Sequence, residues 1–416
     1  MNNMVDHLFR HHYGKMVAVL TKVFGLSNLE TIEDAVQDTF VKASLQWRTQ
    51  IPDNPEAWLT RAAKNRVIDL LRKIKAERIR TEKISIGAAT VQLNDYFLDH
   101  EIEDSQLRMI FVACHPSLDY KEQIAFSLKT ISGFSIKEIA SALLIKEESI
   151  KKRLSRARKS IIENNVKFDF PEKNEILHRM EMVMHVIYLI FNEGFHSSEN
   201  KDVVREEICN EAIRLCSLLL KKESFRSGKL YALFALMCFH TARLKSKVSA
   251  EHQINDLTQQ DRAKWDHRLI IIGNNAMNKA VEYDDISKYH YHAAIVAEHL
   301  KARSFEDTNW GMIAKWYEKL LEINSDDDLV AVNLALVKGH LSQFNDAEKI
   351  LNGINPEKLE QRKYLFYGSY AYINELANKQ TKALEYYKHA LKYVRNEAEQ
   401  SYISSKIDKL NPEALK

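Results

Sequence analysis

The chain has 416 residues, 45% hydrophobic and 28% charged, with a formal net charge of only +3. That length excludes a single small domain and implies two to four, and the balanced total means that any functional charge must be segregated locally. No apolar stretch approaches the ~18 residues of a membrane span, and the N-terminus has no signal-peptide pattern, so a cytoplasmic protein is expected. The four cysteines (Cys114, Cys209, Cys216, Cys238) form no CxxC pair and are read as buried free thiols. Histidine is plentiful (16), but His290 and His292 are two apart and cannot share one helical face. Without a metal-ligand constellation, phosphate loop or nucleophile elbow, the reading is no enzyme, no metal and no cofactor. Proline and glycine are scarce, with no proline between Pro171 and Pro356. The expected fold is all-α, in two small helical domains followed by a large one.

The first block, residues 5–83, carries helical patterns over Leu8–Phe24, Thr31–Trp47 and Pro55 to about Arg80. In the second of these, Ile32, Val36, Phe40, Ala43 and Trp47 make an apolar stripe. Asp34, Gln37, Asp38, Val41 and Leu45 point outward. Apolar residues mixed with acids on an outer face suggest a protein interface. Asn54-Pro55 starts the third helix. There Trp58, Arg61, Asn65, Asp69 and Arg72 form a polar stripe flanked by Lys64, Arg66 and Lys73, opposite Leu59, Ala63, Val67, Leu70, Leu71 and Ile74. Nine Lys/Arg stand against three acids from Arg61 to Lys83. Such a stripe suits unstacked bases: the indole for stacking, the amide for a base edge, the guanidinium for phosphate. An exposed helix with Trp58 capping a core is the plainer alternative.

Residues 84–104 read as a linker whose last ten positions include five acids: Asp95, Asp99, Glu101, Glu103 and Asp104. Residues 105–168 contain a helix-turn-helix pattern. Its first helix is marked by Ile136, Ile139, Ala140 and Leu143. Six of the nine residues from Lys151 to Lys159 are Lys or Arg. On a helix, Ile150, Leu154, Ala157 and Ile161 share one face. Glu148, Lys152, Ser155, Arg156 and Lys159 oppose it, and Lys151, Arg153 and Arg158 flank it. A recognition helix needs that division: one face on the preceding helix, the opposite face at base edges, the flanks at phosphates.

Residues 172–416 form a long helical block. Two pairs, Ala335/Ala371 and Ala347/Ala383, share an offset of 36, and Ala383-x3-Tyr387-x2-Ala390-Leu391 fits the second helix of a tetratricopeptide (TPR) hairpin. TPR-like hairpins are expected over 310–400. Asn192-Glu193-Gly194 reads as a helix end with a glycine cap in preference to an effector site.

In this order the motifs resemble the sigma-70 family of bacterial RNA polymerase initiation factors, specifically its extracytoplasmic-function group, which keeps only regions 2 and 4. The carriers are Glu33-Asp34-Ala-Val-Gln37-Asp38-Thr-Phe40 for region 2.2 and Asn54-Pro55 through Arg72-Lys73 for regions 2.3 and 2.4. Ser135-Ile-Lys-Glu-Ile-Ala140 with Ser149 through Arg158 carries region 4.2. Leu107 through Pro116, Tyr188 through Phe195, Asp261 through Asp266 and Tyr289 through Ala294 resemble the subgroup with a fused C-terminal TPR-like domain. The resemblance implies core RNA polymerase and promoter DNA as partners. Asp34, Gln37, Asp38, Val41 and Leu45 would bind polymerase. Trp58, Arg61, Lys64, Asn65, Arg66, Asp69, Arg72 and Lys73 would hold the minus-ten element. Ser149, Lys151, Lys152, Arg153, Ser155, Arg156, Arg158 and Lys159 would hold the minus-thirty-five element. The extension would modulate activity, with a protein or small-molecule regulator. The competing class is a helix-turn-helix regulator with a TPR-like sensor, acting on duplex DNA without polymerase; it leaves the first block unexplained.

Overall fold

A computed structural model describes residues 2–78, 99–143, 145–195, 206–247, 255–394 and 397–410. Helices make up 78% of it, with no strand among the described residues. The chain divides into two compact units, Met1–Ile190 and Phe191–Lys416.

The first unit begins with α1 (Asn2–Phe24), α2 (Leu29–Gln46) and α3 (Pro55–Arg78). Tyr13, Leu20, Ile32, Val36, Leu59, Ala63 and Val67 are buried together, the stripes expected from the helical period. Asn54 caps α3 by accepting from the Ala57 N–H at 3.0 Å. Residues 79–98, which include the end of the basic run and most of the acidic linker, lie outside the described residues. The stretch read as a linker ends in structure instead: α4 (Asp99–Ala113) starts at its sixteenth position and packs on α1, where Lys22 is ion-paired with Glu101.

The helix-turn-helix comprises α5 (Tyr120–Thr130), α6 (Ile136–Ala142) and α7 (Glu147–Glu163). Two reciprocal caps set its register. Asp119 and Glu122 exchange bonds at the start of α5. Ser135 and Glu138 do so at α6, with Ser135 N–H to Glu138 at 2.7 Å and Glu138 N–H to Ser135 Oγ at 3.1 Å. The first half of α8 (Lys173–Phe195) closes the unit, with buried Arg179 donating to the Phe111 carbonyl.

The second unit follows with α9 (Glu206–Lys221), α10 (Gly228–Ala242), the short α11 (Leu244–Lys247), α12 (His267–Ala280) and α13 (Lys288–Lys301). Helix α10 is apolar on every side and packs against α9, α12 and α13, as a central helix must. Then come α14 (Trp310–Ile323), α15 (Asp328–His340), α16 (Phe344–Asn352), α17 (Lys363–Leu376), α18 (Gln380–Leu391) and α19 (Glu397–Leu410). The 36-residue offset has a structural counterpart. Ala335 on α15 corresponds to Ala371 on α17, and Ala347 on α16 to Ala383 on α18, and all four are fully buried. Gly194 is not a terminal cap. It lies inside the last turn of α8, where an added Cβ would stand 2.9 Å from the Cys209 backbone nitrogen. The close approach of α9 requires the glycine.

Candidate nucleic-acid interface

Helix α7 buries Ile150, Leu154, Ala157 and Ile161, the face read from its periodicity. Lys151, Lys152, Ser155, Arg156 and Lys159 are exposed, and Ser149 and Arg153 are partly so. Arg156 reaches the buried Glu122 at 3.4 Å, whereas Lys152 to Glu148 at 2.9 Å and Lys159 to Glu163 at 3.6 Å are solvent-exposed pairs. Surface pairs of this kind stabilise by ~0–1 kcal/mol and yield readily to a phosphate.

Arg158 differs. Its guanidinium is ion-paired with Glu33 on α2 and reaches Glu30 at 3.5 Å. Glu33 is 2% exposed and also accepts from Thr130 Oγ1 at 2.9 Å. In this form Arg158, expected at a phosphate, instead neutralises a buried carboxylate. The sequence reading assigned Glu33 no role, although on the helical wheel it falls about 20° from the core residue Phe40. An acid at that angle has to be desolvated and therefore needs a cation.

The same seam holds two glycines. A Cβ on Gly14 of α1 would lie 1.8 Å from the Ile131 carbonyl oxygen. Gly133, at φ +72°, faces Tyr13, whose ring would stand 2.8 Å from a Cβ there. The fully buried Tyr13 also carries the Lys129 ammonium 5.7 Å from its ring centroid. The helix-turn-helix is thus packed directly on α1 and α2.

On the outer face of α2, Asp34, Asp38, Val41 and Leu45 are exposed, the last two by 60% and 57%, while Gln37 is half-buried. Partial burial, then the charge of Glu30, pushes the Asp34 carboxyl above its ordinary range. Asp38 Oδ2 accepts from Arg66 Nε at 2.9 Å and Nη2 at 2.6 Å, so a residue expected to face polymerase braces one expected to face DNA. On α3, Arg61, Asn65, Asp69, Arg72 and Lys73 are exposed, and Lys64 is partly so. Trp58 is half-buried, edge-on to Trp47 with ring centroids 5.4 Å apart. It therefore both caps the core and borders the polar stripe.

Residues 8–77 match the description Sigma-70 region 2, and residues 108–161 match Sigma-70 region 4. The ECF RNA polymerase sigma factor SigE of Mycolicibacterium smegmatis is 28% identical over 156 residues, spanning 38% of this chain and 59% of that protein. Over these two regions the chain is a sigma-70 family member, similar to factors of the extracytoplasmic-function group. The ferric citrate uptake sigma factor FecI of Escherichia coli is 26% identical over 157 residues, 36% of this chain and 85% of its own length. The likeness to an uncharacterized protein, R00370, of Rhizobium meliloti runs much further: 28% identity over 391 residues, 93% of this chain and 91% of that one. Residues 179–281 match a family of unknown function, DUF6596. No solved structure matches the chain.

Sigma region 2 thus holds α2 and α3, and region 4 the helix-turn-helix. Among the described residues no helix is long and apolar enough to cross a membrane, and no three His, Cys, Asp or Glu side chains converge as a metal site. The four cysteines are buried, and burial pushes the Cys114, Cys209 and Cys238 thiols up to about 12. A thiol held protonated in this way is a poor nucleophile.

Proposed function

We propose that this sigma-70 family chain directs core RNA polymerase to specific promoters and that its C-terminal, TPR-like unit modulates that activity. The observation that carries the reading is α7: four cations and Ser155 face solvent on a helix whose opposite side is fully buried. Lys151, Lys152, Ser155 and Arg156 read the minus-thirty-five major groove, with Arg153 and Lys159 on phosphates. Trp58, Arg61, Lys64, Asn65, Arg66, Asp69, Arg72 and Lys73 hold the minus-ten element. Asp34, Gln37, Asp38, Val41 and Leu45 dock on polymerase. On this reading the functional parts are residues 5–83, 105–168 and 172–416, joined by the acidic stretch 84–104.

Minus-ten and minus-thirty-five elements lie roughly two turns of duplex apart, about 70 Å. Arg158 and Glu33 are in direct contact. A unit closed in that way cannot occupy both elements, so assembly with polymerase separates region 4 from region 2 and frees Arg158 for a phosphate.

The test is in vitro transcription on promoter fragments from the source genome, with purified chain and core polymerase. Specific initiation is expected, and it is lost in Val41→Glu/Leu45→Glu. That variant touches only exposed side chains and leaves the Asp38–Arg66 pair intact. Salt-sensitive binding of the chain alone to duplex, with no initiation, would overturn the sigma reading in favour of a duplex-binding regulator.

A further inference from the structure

The interior of the second unit holds a cluster of basic side chains, none of them ion-paired with a carboxylate among the described residues. Arg243 ends α10 and is 9% exposed. Among the described residues, none accepts a hydrogen bond from its guanidinium and none offers it a carboxylate at ion-pair distance. One turn on, Lys247 Nζ donates to the Phe195 carbonyl, at 2.6 Å, and lies 3.6 Å from the Phe195 ring centroid. Ser246, between them, accepts from Trp265 Nε1 at 2.8 Å and donates to the Arg243 carbonyl at 2.9 Å. Arg262 stacks over Trp265 at 4.6 Å and spends Nη1 on the carbonyls of His299 and Ala302, at 2.6 and 2.7 Å. Among the described residues its buried Nη2 has no hydrogen-bond partner, nor has Nδ1 of His299.

Three acids act on this cluster from beyond ion-pair distance: Glu306, which is exposed, and Asp307 on Arg262, and Glu399 on Lys247. Glu399 accepts from Tyr364 Oη at 2.7 Å, and Asp307 from Ser304 Oγ at 3.1 Å. Burial, reinforced by the like charges, holds Lys247 down at about 7 and Arg243 at about 10. A desolvated cation costs several kcal/mol unless a counter-charge sits against it, and here neighbouring cations add to that cost. Two guanidinium groups also present planar forks of donors, the geometry that carboxylates and phosphates accept. Arg262 is only half-buried, so the cluster opens to solvent on its side.

We propose that Arg243, Arg262 and Lys247 form a binding site for a small oxyanion, a carboxylate or phosphate group, through which the C-terminal unit senses its signal. The site lies within residues 179–281, the stretch matched to the family of unknown function. It deepens the regulatory reading given above. Binding is measured on the full chain without polymerase, so failure to bind leaves the sigma reading intact, and failure to transcribe leaves the site intact.

The experiment titrates the full-length protein with inorganic phosphate and, separately, with succinate, at low millimolar concentration and constant ionic strength set by chloride. Melting temperature and calorimetric heat are recorded. A saturable rise of roughly 5–10 °C at a hundredfold excess over Kd is expected from one of the two anions. Phosphate alone, or succinate alone, identifies the source. Arg243→Met should abolish the response yet, with no anion added, melt no lower than the wild type, since it removes an uncompensated charge. Arg262→Gln, on the half-buried partner, should weaken Kd at least about tenfold. The proposal is overturned if neither anion exceeds the chloride control, or if both variants bind as the wild type does.

Discussion

Arg158 and Glu33 show how one side chain serves two surfaces. Truncating one member of a buried pair strands the other's charge, so Arg158→Met should cost about 3–5 kcal/mol in urea denaturation, whereas the double variant Arg158→Met/Glu33→Met should recover most of it. Two additive losses would mean that the pair does not hold region 4 on region 2. The same geometry sets apart two cations that look equivalent on the helix. For the chain alone on a promoter-length duplex, Lys151→Ala should lower the slope of log K against log salt by about 1. Arg158→Ala should leave it unchanged, because its guanidinium is already neutralised by carboxylates. Equal slope changes would contradict the closed form.

At the scale of elements, Gly14 and Gly133 allow α1 and the α5–α6 turn to approach more closely than any side chain would permit. Gly14→Ala drives a methyl into the Ile131 carbonyl and should cost roughly 1–3 kcal/mol. Amide exchange should quicken in α5 and α6 while the α2–α3 contact stays protected; uniform loss of protection would place the damage elsewhere. Much of this architecture was legible in the chain. The 3.6-residue period picked out the buried face of α7, residue for residue, and the stripe of α2; on α3 it found Leu59, Ala63 and Val67, while Leu70 and Leu71 are only half-buried and Ile68 is buried in their place. The 36-residue spacing picked out four alanines that are buried on successive helices, Ala335 and Ala347 on α15 and α16, Ala371 and Ala383 on α17 and α18. Periodicity says which face is covered and never by what. Arg158 therefore looked like a flank of a DNA surface, because its partner lies 125 positions away. Gly194 looked like a terminus because the neighbour that forbids its side chain, Cys209, sits on another helix.

At the scale of the whole molecule, the second unit carries buried bases that set its response to acid. Burial first, then neighbouring cations, holds His299 down at about 3 and His292 at about 4. Both are lowered relative to the unfolded imidazole, near 6.5. The unfolded chain therefore binds more protons below that value, and the stability they contribute is present above pH 6.5 and lost as pH falls toward 4. Lys247, lowered from 10.5 to about 7, makes stability rise between those values. Urea midpoints of the full chain should therefore increase from pH 5 to pH 9. His299→Asn should flatten the acid limb, and a flat wild-type profile below pH 6.5 would refute the assignment. A different consequence follows from the distance in sequence between Glu33 and Arg158. At about 5–20 residues per second, the ribosome releases the carboxylate some 6–25 s before its guanidinium. During synthesis region 2 must carry a buried or half-desolvated acid with no counter-ion, so its final packing is completed from the C-terminal side, when region 4 arrives.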